Sequence, residues 1–197
     1  MSQEEVFITD RAKESLVKFS LAGQFLKGIG SKGNTKGRFT TISGLCYDAG
    51  LIYVCDFGVQ RIQIFDSNLD FINQFGYGEL KYPIDITVFS GTIYILSQKN
   101  KTIHCYNRDC ILQKIIEQTG LNQPILNTLF FTIDKKMNFL ITDCSTNEIR
   151  IFSPQGEMKH ILGKGHLSFL AGITIANSNN IICVSHGIDE EGCFQKY

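Results

Sequence analysis

The sequence predicts an all-β protein assembled from repeats of one small β-sheet, and three observations support this prediction. Five short apolar segments each end in a small polar residue, and these residues are spaced by 46, 41, 46 and 42 positions. An aromatic residue stands nine positions after every one of them. No segment shows a convincing helical periodicity of apolar residues. The five polar residues, here named the anchors, are Asp10, Asp56, Ser97, Asp143 and Ser185, and the aromatic residues are Phe19, Phe65, Tyr106, Phe152 and Phe194.

Each repeat contains four strands, and the second repeat shows this most clearly. Residues 42–47 and 51–55 form two apolar segments separated by a Gly-containing turn. Residues 61–65 alternate polar and apolar side chains, as a half-buried strand does, and residues 70–75 follow a second turn. Four strands in a repeat of this length are typical of a β-propeller blade.

We expect a single domain over residues 1–197, with three complete blade units and a partial unit at each end. The two partial units carry three strands each, which predicts an open or incomplete ring that self-associates through exposed strand edges. The segment 111–118 could also be argued as a short helix, but its register predicts a fourth strand. The units cover about residues 5–30, 42–76, 83–120, 128–165 and 171–195.

The repeated positions are interpreted as structural. Asp10, Asp56 and Asp143 occupy the same place in three repeats, so we expect each to accept hydrogen bonds from backbone N–H groups in the turn after the second strand. The repeated aromatic residues are expected to be buried between adjacent blades, because one spacing repeated five times indicates one packing role.

The second repeat resembles the NHL-repeat family of β-propellers, whereas the absence of Trp fits WD-type and kelch-type blades poorly. Segment 28–39 is also similar to the Gly- and Lys-rich connector between two blades of that family. The resemblance is carried by the motifs Ile52-Tyr53-Val54-Cys55-Asp56, Arg61-Ile62-Gln63-Ile64-Phe65 and Phe75-Gly76. The third-strand Arg of the family is present only as Arg61, and the matching positions hold Ser15, Thr102, Glu148 and Glu190.

The resemblance implies a non-enzymatic binding module that acts as a scaffold for a protein partner, as in ubiquitin-ligase-type relatives. An alternative is single-stranded RNA binding, because some propellers similar to this one bind RNA across a basic face. A third alternative is a metal-dependent propeller lyase, for which His166 and His186 would be the plausible ligands.

The charge distribution bears on the RNA alternative. The 19 Lys and Arg residues balance the 19 Asp and Glu residues, which excludes a strongly basic nucleic-acid module as a description of the whole chain. Residues 15–47 nevertheless contain five cations and no acidic residue. Such a segment is either a solvated connector or a loop that reaches phosphates. The candidate ligand-binding residues are Lys27, Lys32, Lys36, Arg38 and Arg61.

The remaining motifs indicate no chemistry. The sequence contains no catalytic Ser-His-Asp order and no phosphate-binding loop before a helix, so we expect no enzyme activity and no cofactor. The seven Cys include no CxxC pair, and we expect them to be reduced thiols in strands and no metal to be bound. No apolar stretch is long enough to span a membrane and no secretion signal is evident, so we expect a cytoplasmic protein.

Overall fold

The structure, a computed structural model, describes residues 4–120, 128–168, 170–176, 180–185 and 194–196. These residues form eighteen strands and no helix. The strands build five separate sheets of three, four, four, four and three strands, in which hydrogen-bonded neighbours are consecutive in the chain. The predicted all-β class, the division into three complete and two partial blades, and the strand at residues 111–118 are all confirmed.

Each sheet corresponds to one predicted repeat. The first contains β1 (Glu5–Asp10), β2 (Ser15–Ser20) and β3 (Phe25–Ile29). The second contains β4 (Ile42–Asp48), β5 (Leu51–Asp56), β6 (Arg61–Asp66) and β7 (Phe71–Phe75). The third contains β8 (Pro83–Phe89), β9 (Thr92–Ser97), β10 (Thr102–Tyr106) and β11 (Leu112–Glu117). The fourth contains β12 (Thr128–Ile133), β13 (Phe139–Asp143), β14 (Glu148–Phe152) and β15 (Met158–Leu162), and the fifth β16 (Leu170–Ile175), β17 (Ile181–Ser185) and β18 (Phe194–Lys196).

The chain divides into two compact units, residues 1–88 and 89–197, and each has its own apolar packing. In the first unit, Leu16 of blade one packs with Ile52, Val54 and Phe65 of blade two, and Phe39 from the connector joins them. In the second unit, a cluster made by blades four and five contains Leu140, Ile149, Leu170 and Cys183.

Burial of the repeated aromatic side chains is confirmed at three positions and is wrong at one, and for Phe65 the contact with the cluster that contains Leu16 also places the ring between two blades. Phe65, Tyr106 and Phe152 are fully buried. Phe19 is only half-buried, and its ring lies edge-on to Phe25, whose own side chain is largely exposed. The side chain of Phe194 lies outside the described residues.

All five anchors end the strand that precedes the predicted turn, but their contacts differ. Asp10 accepts hydrogen bonds from the backbone N–H groups of Ala12 and Lys13, and Asp143 accepts one from that of Ser145, as predicted. For Asp56 the prediction is wrong: its Oδ1 accepts from the N–H of Thr40 at 3.0 Å, which belongs to the connector before the blade. Ser97 is buried, and the side chain of Ser185 lies outside the described residues.

The turns of the blades also repeat in backbone conformation, although different residue types occupy the equivalent positions. In each of the first four blades, the turn that follows the anchor residue places one non-glycine residue at a φ between 50° and 61°: Glu14, Gln60, Lys101 and Asn147. The next turn along each of these blades has a left-handed residue at a second equivalent position, which is Gly23, Leu69, Cys110 or Gly156. Because Leu and Cys occupy that position in two blades, a side chain is compatible with its backbone conformation there.

Replacing Gly156 with alanine is expected to destabilise the protein more than the same change at Gly23. Both residues have a positive φ, but a Cβ at Gly156 would overlap the carbonyl oxygen of Glu117, whereas a Cβ at Gly23 would meet nothing within 4 Å. The left-handed conformation costs each variant about 1–2 kcal/mol, and the overlap should add about 1–3 kcal/mol at Gly156. Urea unfolding of the two variants measures the difference, and equal stabilities would contradict the contact between Gly156 and Glu117.

Candidate binding surface on blade two

The connector between blades one and two folds into a closed loop. Gly33 donates its N–H to the carbonyl of Phe39 at 2.9 Å, and Phe39 donates to Ser31 at 3.1 Å. Within the loop, Arg38 donates its N–H to the carbonyl of Thr35 at 3.1 Å. The ring of Phe39 is fully buried in the apolar cluster of the first compact unit and stands 6.0 Å from that of Phe65. Residues 31–39, here named the connector loop, are therefore anchored to the core.

The buried side chain of Arg61 attaches the connector loop to blade two. Its guanidinium is 1% exposed and forms an ion pair with Asp56, in which both Nε and Nη2 lie 3.0 Å from Oδ2. Nη2 also donates to the carbonyl oxygens of Thr35 and Arg38 at 2.9 and 3.0 Å. The sequence predicts Arg61 as a ligand-binding residue. In the structure its guanidinium is buried, and Nη2 donates its hydrogen bonds to carbonyl oxygens of the connector loop.

A second buried side chain reinforces this attachment. Gln63 donates its Nε2 to the carbonyl of Arg38 at 2.8 Å and accepts the N–H of Gly37 at 2.9 Å through its Oε1. It lies on the same strand as Arg61, two residues further along, so both side chains are on the same face of the sheet. Two adjacent side chains of β6 therefore fix the loop by four hydrogen bonds to its backbone.

The loop and its surroundings present cations and one aromatic ring to solvent. The side chains of Lys32, Lys36 and Arg38 are exposed, and the ammonium of Lys36 lies 5.4 Å from the centre of the Phe71 ring. Tyr77 is 49% exposed, and its hydroxyl accepts a hydrogen bond from Nη1 of Arg61 at 2.9 Å. Because this guanidinium also binds the loop backbone, the ring of Tyr77 lies beside the loop. Lys32, Lys36, Arg38 and Tyr77 are here named the connector surface.

Lys27 does not belong to this surface. It lies in β3, where its Nζ forms an ion pair with Asp70 at 3.1 Å and donates to the carbonyl of Asn68 at 2.6 Å. Lys18, which also belongs to the basic segment, is mostly buried and pairs with Glu5 at 3.0 Å. Three of the five predicted ligand-binding residues, Lys32, Lys36 and Arg38, are therefore brought together on the solvent side.

Sequence reasoning missed two residues. Tyr77 directly follows the Phe-Gly motif of blade two, and nothing in the sequence except this position in a turn indicates that it contributes to a binding surface. Arg150 stands two residues after the position of the family arginine, and in blade four it forms an ion pair with Asp143 at 3.0 Å. Side chains two residues apart on a strand lie on the same face of the sheet. Arg150 can therefore pair with the anchor Asp143 although it stands two residues after the position that Arg61 occupies in blade two. A search for Arg at either position would have found it.

The His and Cys side chains of the described residues bear on metal binding and on nucleophilic chemistry. Among them, no group of three or more His, Cys, Asp or Glu side chains could hold a metal ion. His166 is exposed in the turn after β15, and His186 lies outside the described residues. Burial raises the pKa of the Cys55 thiol well above its ordinary value and raises the pKa of Cys105 to about 11, so both are protonated at neutral pH and are poor nucleophiles. The described part of the chain contains no helix with the length and hydropathy needed to cross a membrane.

Comparison with known proteins identifies repeats of the same kind. The sequence model of the NHL repeat matches residues 39–65, which include the end of the connector loop, Asp56, Arg61 and Gln63. The protein brain tumor of Drosophila melanogaster is 31% identical over 145 residues, which cover 68% of this chain and 14% of the fly protein. The chain therefore spans a small part of that relative.

Solved structures share the fold at low sequence identity. Virginiamycin B lyase from Staphylococcus aureus superposes with a TM-score of 0.70 at 14% identity, over 98% of this chain and 66% of the lyase. A streptogramin B lyase gives a TM-score of 0.71 at 16% identity, over 100% of this chain and 66% of its own. Glutaminyl cyclase from Myxococcus xanthus gives 0.65 at 13% identity, over 87% and 77% of the two chains. The two lyases are β-propellers, so these similarities show a propeller fold.

Proposed function

Because the chain belongs to the NHL-repeat family of β-propeller proteins, we propose that it is a non-enzymatic binding module that recognises a protein partner through its connector surface. The observation that carries the proposal is the attachment of the connector loop to Arg61 and Gln63. A loop fixed before binding loses little conformational entropy when a partner docks, so more of the contact energy appears as affinity.

The chemistry of the connector surface suits an acidic segment of a protein. Lys32, Lys36 and Arg38 supply three positive charges, and Tyr77 adds a large, half-exposed ring. Arg and Tyr are enriched in protein interfaces, and clustered charges of one sign accelerate association with a partner of the opposite sign. The partner segment should therefore carry Asp or Glu residues next to an apolar or aromatic side chain.

Charge reversal at Lys32 and Arg38 is expected to abolish capture of the partner from a native lysate. The variant K32E/R38E leaves Lys36 on Phe71 and keeps the backbone carbonyl of Arg38 for Arg61 and Gln63. The matched control is K114E/K164E, which reverses two exposed lysines outside the connector surface and changes the net charge equally. Proteins retained by the wild type should be lost from the first variant and kept by the control, with and without nuclease.

Two outcomes would contradict this proposal. Retention of every captured protein by K32E/R38E would show that the connector surface is not the binding site. Loss of all captured proteins after nuclease treatment would show that nucleic acid, and not a protein, is the direct ligand.

Single-stranded RNA is the second candidate, and the position of Tyr77 beside the cations favours it. An exposed ring can stack on a base while neighbouring cations contact phosphates. The nuclease arm of the same experiment distinguishes the two candidates. If RNA is the ligand, each phosphate contact removed by K32E/R38E should reduce the log–log salt slope of binding by about 0.7. The zero net charge of the chain favours the protein partner.

A further inference from the structure

The second compact unit contains a pocket whose lining differs in chemistry from the connector surface. Its volume is about 490 Å³, which lies within the usual range of small-ligand sites. One wall comes from blade four and the other from the hairpin of β16 and β17 in blade five. The lining combines aliphatic side chains with lysines and a histidine.

The apolar part of the pocket follows from strand register. In blade four, Leu140 pairs with Ile151 and Ile151 pairs with His160, so these three side chains form one row across a single face of the sheet. In blade five, Ile175 pairs with Ile181 across the hairpin. Both residue sets line the pocket, and Ile151, Ile175 and Ile181 remain only half-buried. An apolar body placed here would bury isoleucine surface that now faces solvent.

The polar rim is positively charged. Lys135, Lys136 and Lys159 line the pocket with exposed side chains, together with His160. Asp134 is the acidic residue of the lining, and the turn uses both of its oxygens: Oδ1 accepts the N–H groups of Lys136 and Asn138 at 2.8 and 2.7 Å, and Oδ2 accepts from Nδ2 of Asn138.

One of these cations is held in place by the protein. Nζ of Lys159 donates to Oδ1 of Asn138 at 2.9 Å, and the Asn138 side chain is itself fixed by Asp134. An ammonium carries three N–H donors, so Lys159 keeps two for a ligand. The lining of the pocket therefore combines an oriented cation with aliphatic side chains.

We propose that this pocket binds a small amphiphilic anion, a carboxylate attached to an aliphatic body. The carboxylate accepts charge-assisted hydrogen bonds from Lys159 and Lys136, and the aliphatic body covers Ile151, Ile175 and Ile181. This site is independent of the connector surface, since it uses none of the same residues.

Isothermal titration of the full chain with decanoate tests the proposal. Acetate supplies the carboxylate without the aliphatic body, and decylamine supplies the body with a positive charge. The wild type should bind one decanoate saturably and should bind acetate and decylamine at least tenfold more weakly. The variant K136Q/K159Q should weaken decanoate binding at least tenfold, whereas the control K114Q/K164Q, which changes two exposed lysines outside the pocket, should bind like the wild type.

Thermal unfolding of both variants verifies that they are folded, and the glutamine that replaces Lys159 retains an amide donor for Asn138. Equal binding of decanoate and decylamine, or equal loss in both lysine variants, would overturn the proposal. Failure of the wild type to bind decanoate would also overturn it.

Discussion

Replacing Arg61 with alanine is expected to lower the free energy of unfolding by about 3–5 kcal/mol. The change leaves the Asp56 carboxylate buried without its cation, and it removes the donors that hold the carbonyl oxygens of Thr35 and Arg38. Removing one member of a buried ion pair is far more destabilising than removing an exposed pair, because the remaining charge has lost both water and its partner.

The surface pair of Lys27 and Asp70 is the matched control for this experiment. The side chains are 43% and 70% exposed, so solvent screens the pair and Lys27→Ala should change stability by at most about 1 kcal/mol. Urea unfolding of the two variants gives the comparison. An Arg61→Ala variant as stable as Lys27→Ala would contradict the buried ion pair and the attachment of the connector loop to it.

Replacing Phe65 with alanine is expected to cost a similar amount, about 3–5 kcal/mol. The ring is fully buried and packs against Phe39 at 6.0 Å and edge-on against Phe71 at 5.9 Å. Its removal would leave a cavity where blade two meets the connector, and partial collapse of that cavity would displace Phe39 and the loop that it anchors.

Phe25 provides the comparison for Phe65. It is also a phenylalanine in the first compact unit, but 57% of its surface is exposed. Phe25→Ala should therefore change stability by at most about 0.5 kcal/mol. Equal destabilisation by the two changes, measured by urea unfolding, would show that the aromatic positions of the repeat are not the core positions.

The fold could be predicted because the sequence patterns that indicate strands and blades each extend over only a few neighbouring residues. The alternation of polar and apolar residues at positions 61–65 and the spacing from each anchor to its aromatic residue are read along a few residues of chain, and they predicted the correct strands and blades. The error at Phe19 arose because burial depends on what packs around the ring, whereas the spacing describes only its place in the strand.

The candidate site was predictable only in part, because contacts between distant residues decide it. Lys27 and Lys36 both belong to the basic segment, but Lys27 pairs with Asp70, more than forty residues away, while Lys36 remains exposed. The repeat pattern predicted that Asp56 caps the next turn, yet it binds the N–H of Thr40 and the guanidinium of Arg61. The residue types of the basic segment and of the repeat do not show which distant residues come into contact with them when the chain folds.

The affinity of a captured partner for the chain, measured at low and at high salt, tests the role of the connector surface most directly. Purified partner should bind K32E/R38E at least tenfold more weakly than the wild type at low salt, and the difference should narrow as salt screens the charges. The control K114E/K164E should bind within about twofold of the wild type, because its two substitutions lie outside the connector surface and leave the contacts of that surface intact. Equal affinities of the wild type and K32E/R38E at low salt would contradict the account.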